Sequence, residues 1–246
     1  MFSPNYVIHL VLSIAASLIA ISVHEFSHAL AAYKLGDPTA KLMGRLTINP
    51  IKHLDPVGTL CMIFFHFGWA RPVPIDHRYF KKPREHFALT ALAGPLSNIV
   101  LAFLVAPVYL LCANLFIRTD NAFLSNLMQN TLYFLFIFHV INIGLGVFNL
   151  IPLPPFDGSR IVAVLLPKKW YFKVMKYERY IYYGVIAWLL IGDHIYRALL
   201  KLSFISSNAF LSNAVHIFSL SDLISDAISF ISEITLKFWQ LIPFLS

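Results

Sequence analysis

Two histidines and a glutamate stand together in the segment His24-Glu25-Phe26-Ser27-His28. On an α-helix, residues four apart lie one above the other, so both imidazoles can reach a single Zn²⁺. The intervening Glu25 is then placed to take a proton from a water at the metal, the chemistry of metal-assisted hydrolysis. In a chain of this composition the pattern arises by chance with a probability of about 0.7%. Catalytic zinc commonly takes three protein ligands plus water, so a third ligand is needed. The best candidate carboxylate is Asp157, in the run Asn149-Leu-Ile-Pro-Leu-Pro-Pro-Phe-Asp157-Gly158. Pro152, Pro154 and Pro155 stop a regular helix and Gly158 permits a turn, so irregular backbone presents the carboxylate. The plainer alternative is a helix stop with an exposed Asp-Gly turn.

The elements around these residues must be membrane-embedded. The 246 residues are 58% hydrophobic and only 13% charged, with mean hydropathy +0.70; a soluble domain carries about 25% charged residues. This composition excludes a disordered chain, a coiled coil and an ordinary cytosolic enzyme, and points to an integral membrane protein. The two cysteines, Cys61 and Cys112, can build neither a disulfide framework nor a thiolate cage. No Lys or Arg precedes Lys34, so the first apolar stretch is expected to be retained rather than cleaved as a signal.

Intervals without Asp, Glu, Lys or Arg mark the spans: Met1–His24, His86–Ile117 and Asn121–Phe156. Each exceeds the roughly 20 residues needed to cross the hydrocarbon. A fourth, weaker crossing is expected over Tyr180–Leu200. The apolar run Val57–Phe67 is too short to cross and is expected to be re-entrant or interfacial. From Ser203 the chain becomes Ser-rich, and Leu220, Leu223, Ile224, Ala227, Ile228, Ile231 and Ile234 recur at helical spacing. This predicts an amphipathic helix on the membrane or on the bundle. The chain thus divides into a membrane-embedded region, 1–202, and a tail, 203–246.

Charge gives the orientation. If Val57–Phe67 returns to its starting side, Lys34–Arg84 and Arg160–Arg179 share one face and hold fifteen of the nineteen Lys and Arg residues. The positive-inside rule makes that face cytoplasmic and the N-terminus external, in a multi-pass protein of the cell membrane. The basic segments read as anchors on the lipid surface, not as a nucleic-acid patch. The same topology is required if Asp157 is to meet His24 and His28.

The ordered motifs HEFSHA (24–29), NPIKHLDPVGTL (49–60), GWARPVPID (68–76), ALAGPLSN (91–98) and FNLIPLPPFDG (148–158) resemble the site-2 protease family of intramembrane zinc metalloproteases. The resemblance covers roughly Ser22 to Ile161 and fits the compact branch without a PDZ domain. It implies His24, His28 and Asp157 as ligands of one Zn²⁺ per chain and Glu25 as the general base. It also implies polar positions at Asn98 and Asn149, either of which could stabilise an oxyanion or hold substrate backbone. For Asn98 an interhelical hydrogen bond is the competing reading, and Asn142 reads as helix–helix glue. His139 has no companion at ligand spacing and reads as an interhelical histidine. His53 and Asp55 are expected to shape a loop rather than bind zinc.

The expected fold is therefore an all-α polytopic membrane protein. A three-helix core surrounds a zinc site, with a re-entrant segment, a short extended hairpin over Lys41–Asn49, one further transmembrane helix and an amphipathic tail. The expected activity is hydrolysis of peptide bonds in or near transmembrane segments of membrane-protein substrates. The alternative is a zinc-binding membrane protein or metal-ion transporter without hydrolysis. A transporter is expected to repeat its polar site in two halves, and no second half is visible.

Overall fold

The computed structural model describes residues 4–58, 60, 70–116, 121–202 and 219–245. Among the described residues three helices are long and apolar enough to span a membrane: α1 (Pro4–Lys34), α4 (Pro83–Phe116) and α5 (Ala122–Asn149). Local chemistry sets their ends. A proline opens α4, where its missing N–H costs nothing. Asn121 caps α5, its Oδ1 accepting from the amides of Phe123 and Leu124 at 3.0 and 3.1 Å. At the C-terminus of α1, Gly36 has φ +112°. Its amide donates to Tyr33 O at 3.2 Å and that of Asp37 to Ala32 O at 2.9 Å. This is a Schellman termination, which the glycine makes possible.

The three long helices pack on one another, and α1 offers them a single stripe. Ala16, Ala20, His24, His28 and Ala32 follow at intervals of four and are all buried. Small residues at the first two positions let the neighbouring helices approach closely. Ala16 and Ala20 pack with Phe138 of α5, surrounded by Leu101, Val105, Phe134, Ile137, Ile141 and Leu145. Large apolar residues elsewhere, such as Val11, Leu104 and Leu127, face outward, as suits a lipid-facing surface.

Short elements fill the connection after α1. These are α2 (Thr39–Leu42), α3 (Pro50–His53) and a 3₁₀ turn at His77–Tyr79. The hairpin expected over Lys41–Asn49 does not form. The segment runs from α2 through a turn, with Gly44 at φ +66°, into Asn49, whose side chain caps α3. The Asn-Pro pair starts a helix here, and capping prevails over strand pairing. Among the described residues the only isolated β-bridge joins Leu54 and Ala70. Most of Val57–Phe67 lies outside the described residues. The connection nevertheless leaves α1 and enters α4 at the same end of the bundle, since His28 bonds Thr90 near the start of α4.

Beyond α5 lie α6 (Gly158–Leu165), α7 (Lys168–Leu200) and α8 (Leu220–Gln240). The further crossing expected over Tyr180–Leu200 is not among the three span-like helices. It belongs to the 33-residue α7, whose basic first half, tyrosines, Asp193 and Arg197 lower its hydropathy. The amphipathic tail helix α8 docks on the bundle. His139 Nε2 meets Ser232 Oγ at 3.0 Å and Trp239 Nε1 donates to Phe103 O at 2.9 Å. With Nδ1 of His139 on Ala102 O at 3.0 Å, that histidine joins α4, α5 and α8.

Candidate metal centre

His24 and His28 occupy the inner stripe of α1 two turns before its end. Asp157 comes from the irregular segment after α5 and stands at the N-cap of α6, yet makes no capping hydrogen bond. Its Oδ2 instead lies 3.1 Å from His24 Nε2 and 3.2 Å from His28 Nε2. The two Nε2 atoms are 3.0 Å apart. These three atoms form a nearly equilateral triangle, the one cluster of possible metal ligands among the described residues.

The protonation of the rings follows from their other nitrogens. His28 Nδ1 lies 2.7 Å from the Thr90 carbonyl, which can only accept, so the ring proton is on Nδ1. His24 Nδ1 lies 2.6 Å from Asn98 Oδ1. The Asn98 amide nitrogen is fixed by donation to Ala20 O at 3.1 Å and Asn142 Oδ1 at 2.8 Å, so its oxygen must face the histidine. In the neutral rings both Nε2 atoms therefore aim lone pairs at a carboxylate oxygen that is buried and receives no hydrogen bond. Three acceptors at this spacing repel one another unless a cation lies between them. Ligand–ligand edges of about 3.3 Å are expected for tetrahedral zinc with bonds of about 2.0–2.1 Å, so the donor set fits that ion.

One face of α4 is built to receive the pair. Thr90, Gly94 and Asn98 recur at intervals of four opposite His24 and His28. The outer two bind the imidazoles, while Gly94 leaves room between them. A Cβ at Gly94 would lie 2.4 Å from His28 Nε2 and 2.7 Å from His24 Cε1. Pro95 follows and withholds an N–H from the Ala91 carbonyl, loosening the ladder one residue beyond Thr90. Gly158 serves a similar end, since a Cβ there would lie 2.3 Å from Leu150 O. Its role is close backbone approach beside Asp157, more than the turn expected of it.

Glu25 lies in the same cavity of about 340 Å³, together with His24, His28, Asp157, Asn149 and Arg160. Its Oε2 accepts from the Val73 amide at 2.9 Å, which engages one of the two carboxylate oxygens. Val73, Pro72 and Ile75 form one wall, and Phe87 and Phe156 contribute apolar surface. Asn149 donates to Leu145 O at 3.0 Å and faces the cavity. Asn98 does not line the cavity. Both its N–H groups are used within the bundle, so it has none to offer an oxyanion, and the interhelical reading is the one its bonds support. Neither His53 nor Asp55 joins the cluster: His53 Nε2 meets Thr47 O at 2.7 Å and Asp55 Oδ1 accepts from Gly58 N at 2.8 Å.

Sequence reasoning missed Thr90, Gly94 and Val73. Thr90 and Val73 act through backbone atoms and Gly94 through the lack of a side chain, so residue chemistry did not mark them. The recurrence of small or polar residues every four positions in an otherwise apolar helix was the available signal.

An all-α membrane protein with a His-His-Asp cluster beside a glutamate has the makings of a metallopeptidase. The sequence profile of Peptidase family M50 matches residues 12–192, and the chain belongs to that family, the site-2 protease group its motifs resemble. The protein named "Putative zinc metalloprotease YwhC" from Bacillus subtilis (strain 168) is 44% identical over 174 residues, covering 71% of this chain and 76% of the relative. "Putative zinc metalloprotease Rip2" of Mycolicibacterium smegmatis is 28% identical over 162 residues, 63% of this chain and 57% of that protein. Its namesake in Mycobacterium tuberculosis (strain Erdman) is 26% identical over 203 residues, 73% of each. No solved structure matches the chain. The chain is thus a membrane metalloprotease of that family.

Proposed function

We propose that this protein is an intramembrane endopeptidase that holds one Zn²⁺ through His24, His28 and Asp157 and cleaves peptide bonds in or near the transmembrane segments of other membrane proteins. The observation that carries this reading is the triangle of three facing acceptors with Glu25 in the same cavity. Bound zinc would supply a Lewis acid that polarises a peptide carbonyl and lowers the pKa of water. Glu25 takes the proton of the attacking water through the oxygen that Val73 leaves unengaged and passes it to the departing amide nitrogen. The new C–O bond forms as the carbonyl π bond opens onto its oxygen; the C–N bond then breaks as the carbonyl re-forms, and the proton leaves with the amine. Asn98 and Thr90 hold the imidazoles in the tautomer that exposes Nε2. Asn149 presents its remaining amide hydrogen to substrate backbone.

A substrate helix must open first, because each interior carbonyl already accepts a bond from the amide four residues on. Unwinding in lipid costs several kcal/mol for groups left unpaired, which favours substrates carrying Gly, Pro or Asn near the scissile bond. With the basic segments cytoplasmic and the N-terminus outside, cleavage falls near the cytoplasmic end of the substrate's span. The test is cleavage of single-span peptides in liposomes by wild type and Glu25→Gln. The variant should lose essentially all hydrolysis; undiminished cleavage would remove Glu25, and with it this mechanism.

A further inference from the structure

Segment 70–76 crosses the cavity in extended form between the α3 region and the 3₁₀ turn. Its middle residue, Val73, donates its amide to Glu25 Oε2 at 2.9 Å. Pro72 and Pro74 flank Val73 and have no N–H, so no adjacent donor competes for the carboxylate. On its own, such a segment makes few bonds that would keep Val73 in place. The Arg71 amide donates to His53 O at 2.8 Å, and two buried side chains hold the residues on either side of Val73.

Asp37 has no solvent exposure, and its Oδ2 accepts from the Asp76 amide at 2.7 Å. Its Oδ1 accepts from the Thr39 amide at 2.9 Å and from the Thr39 hydroxyl at 2.5 Å. The Schellman turn fixes Asp37 itself relative to α1, the helix that carries Glu25. On the other side of Val73, the buried Arg45 donates from Nη2 to Arg71 O at 2.5 Å and Pro72 O at 3.3 Å. Ala40 and Ala29 pack under Val73. Arg45 thus holds the segment just before Val73 and is tied to α2 through its amide on Ala40 O at 2.8 Å, while Asp37 holds it three residues after and is tied to the end of α1. Fully buried charged groups are rare unless paired, and each of these is used on backbone of the same segment.

We propose that Asp37 and Arg45 are positioning residues for the reaction: together they clamp segment 70–76 so that the Val73 amide fixes the Glu25 carboxylate for proton transfer. This rests on the reading of Glu25 as the general base. Neither residue touches the ligand triangle, so the clamp governs kcat and leaves zinc content to other parts of the site.

The test uses the full-length reconstituted protein with Asp37→Ala, Arg45→Ala and the conservative Arg45→Lys, which can still donate to both carbonyls. Cleavage of a single-span peptide gives kcat and KM, zinc content is measured on the same samples, and hydrogen exchange reports the Val73 and Asp76 amides. Misplacement of a catalytic group by about 1 Å lowers rate roughly 10²-fold, so kcat should fall on that scale in both Ala variants. Zinc should stay near wild type, exchange at Val73 should rise, and Arg45→Lys should recover most of the rate. Unchanged kcat in both Ala variants overturns the clamp, as does a fall that follows zinc loss. Equal exchange at Val73 in wild type and both Ala variants overturns it independently of activity. If Glu25→Gln cleaves normally while Val73 exchange responds as expected, the general-base reading has failed and the clamp on Glu25 stands as geometry alone.

Discussion

Gly94→Ala adds one carbon at the tightest point between α1 and α4. The new Cβ would lie 2.4 Å from His28 Nε2, about 1 Å inside the 3.4 Å at which ordinary contact begins. It would also lie 2.7 Å from His24 Cε1, so moving one ring aside does not clear it. Either α4 withdraws by about 1 Å or both imidazoles rotate off their bonds to Thr90 and Asn98. Overpacking of this kind costs about 1–3 kcal/mol, while replacing a helical glycine by alanine returns roughly 0.5–1 kcal/mol. Global stability should therefore fall by no more than about 2.5 kcal/mol. The ligand set is less forgiving: loss of its orienting bonds is expected to weaken zinc affinity about 10–100-fold. Zinc retention against a graded chelator series, read beside thermal unfolding of metal-free protein, separates the two effects. Gly184→Ala is the control, since a Cβ there meets nothing within 4 Å. If Gly94→Ala keeps wild-type zinc affinity and cleavage, the gap at Gly94 does not position the histidines and the reasoning from the helix stripe is wrong.

Asn98→Ala should also weaken zinc about 10–100-fold, because it frees His24 Nδ1 and leaves Asn142 Oδ1 without its donor; equal affinity in a competition assay would refute its orienting role. Cysteines placed by Asn121→Cys and Lys169→Cys in a Cys61→Ser, Cys112→Ser background should label from opposite sides of sealed vesicles with an impermeant reagent, and same-side labelling would overturn the orientation. In a substrate series where Gly, Pro or Asn near the cleaved bond is replaced by Leu, cleavage in bilayers should slow while insertion is unchanged. Rates indifferent to substrate helix stability would mean that unwinding does not limit the reaction.

The parts of the site legible in the sequence were those where side-chain chemistry coincides with a local period. His24 and His28 were readable because four residues make one helical turn, and Asp157 because three prolines and a glycine forbid it a regular helix. The three spanning helices were readable from charge-free intervals. What was not legible depends on partners distant in sequence. Asn98 could not be assigned until α1 and α5 took both its N–H groups. The hairpin expected at Lys41–Asn49 failed for a local reason, since Asn49-Pro50 is a helix start and Gly44 takes a left-handed turn. The Thr90–Gly94–Asn98 stripe was present in the letters but gains meaning only opposite the histidines.

The central claim is that His24, His28 and Asp157 hold zinc while Glu25 does not. The most direct measurement is the zinc-to-protein ratio, by elemental analysis after gel filtration, of wild type, Glu25→Gln, Asp157→Ala and the double variant His24→Ala, His28→Ala, each checked for intact helical content. The account predicts about one zinc in the first two and loss of zinc in the last two. Stoichiometric zinc in the double histidine variant, or its loss in Glu25→Gln alone, would contradict it.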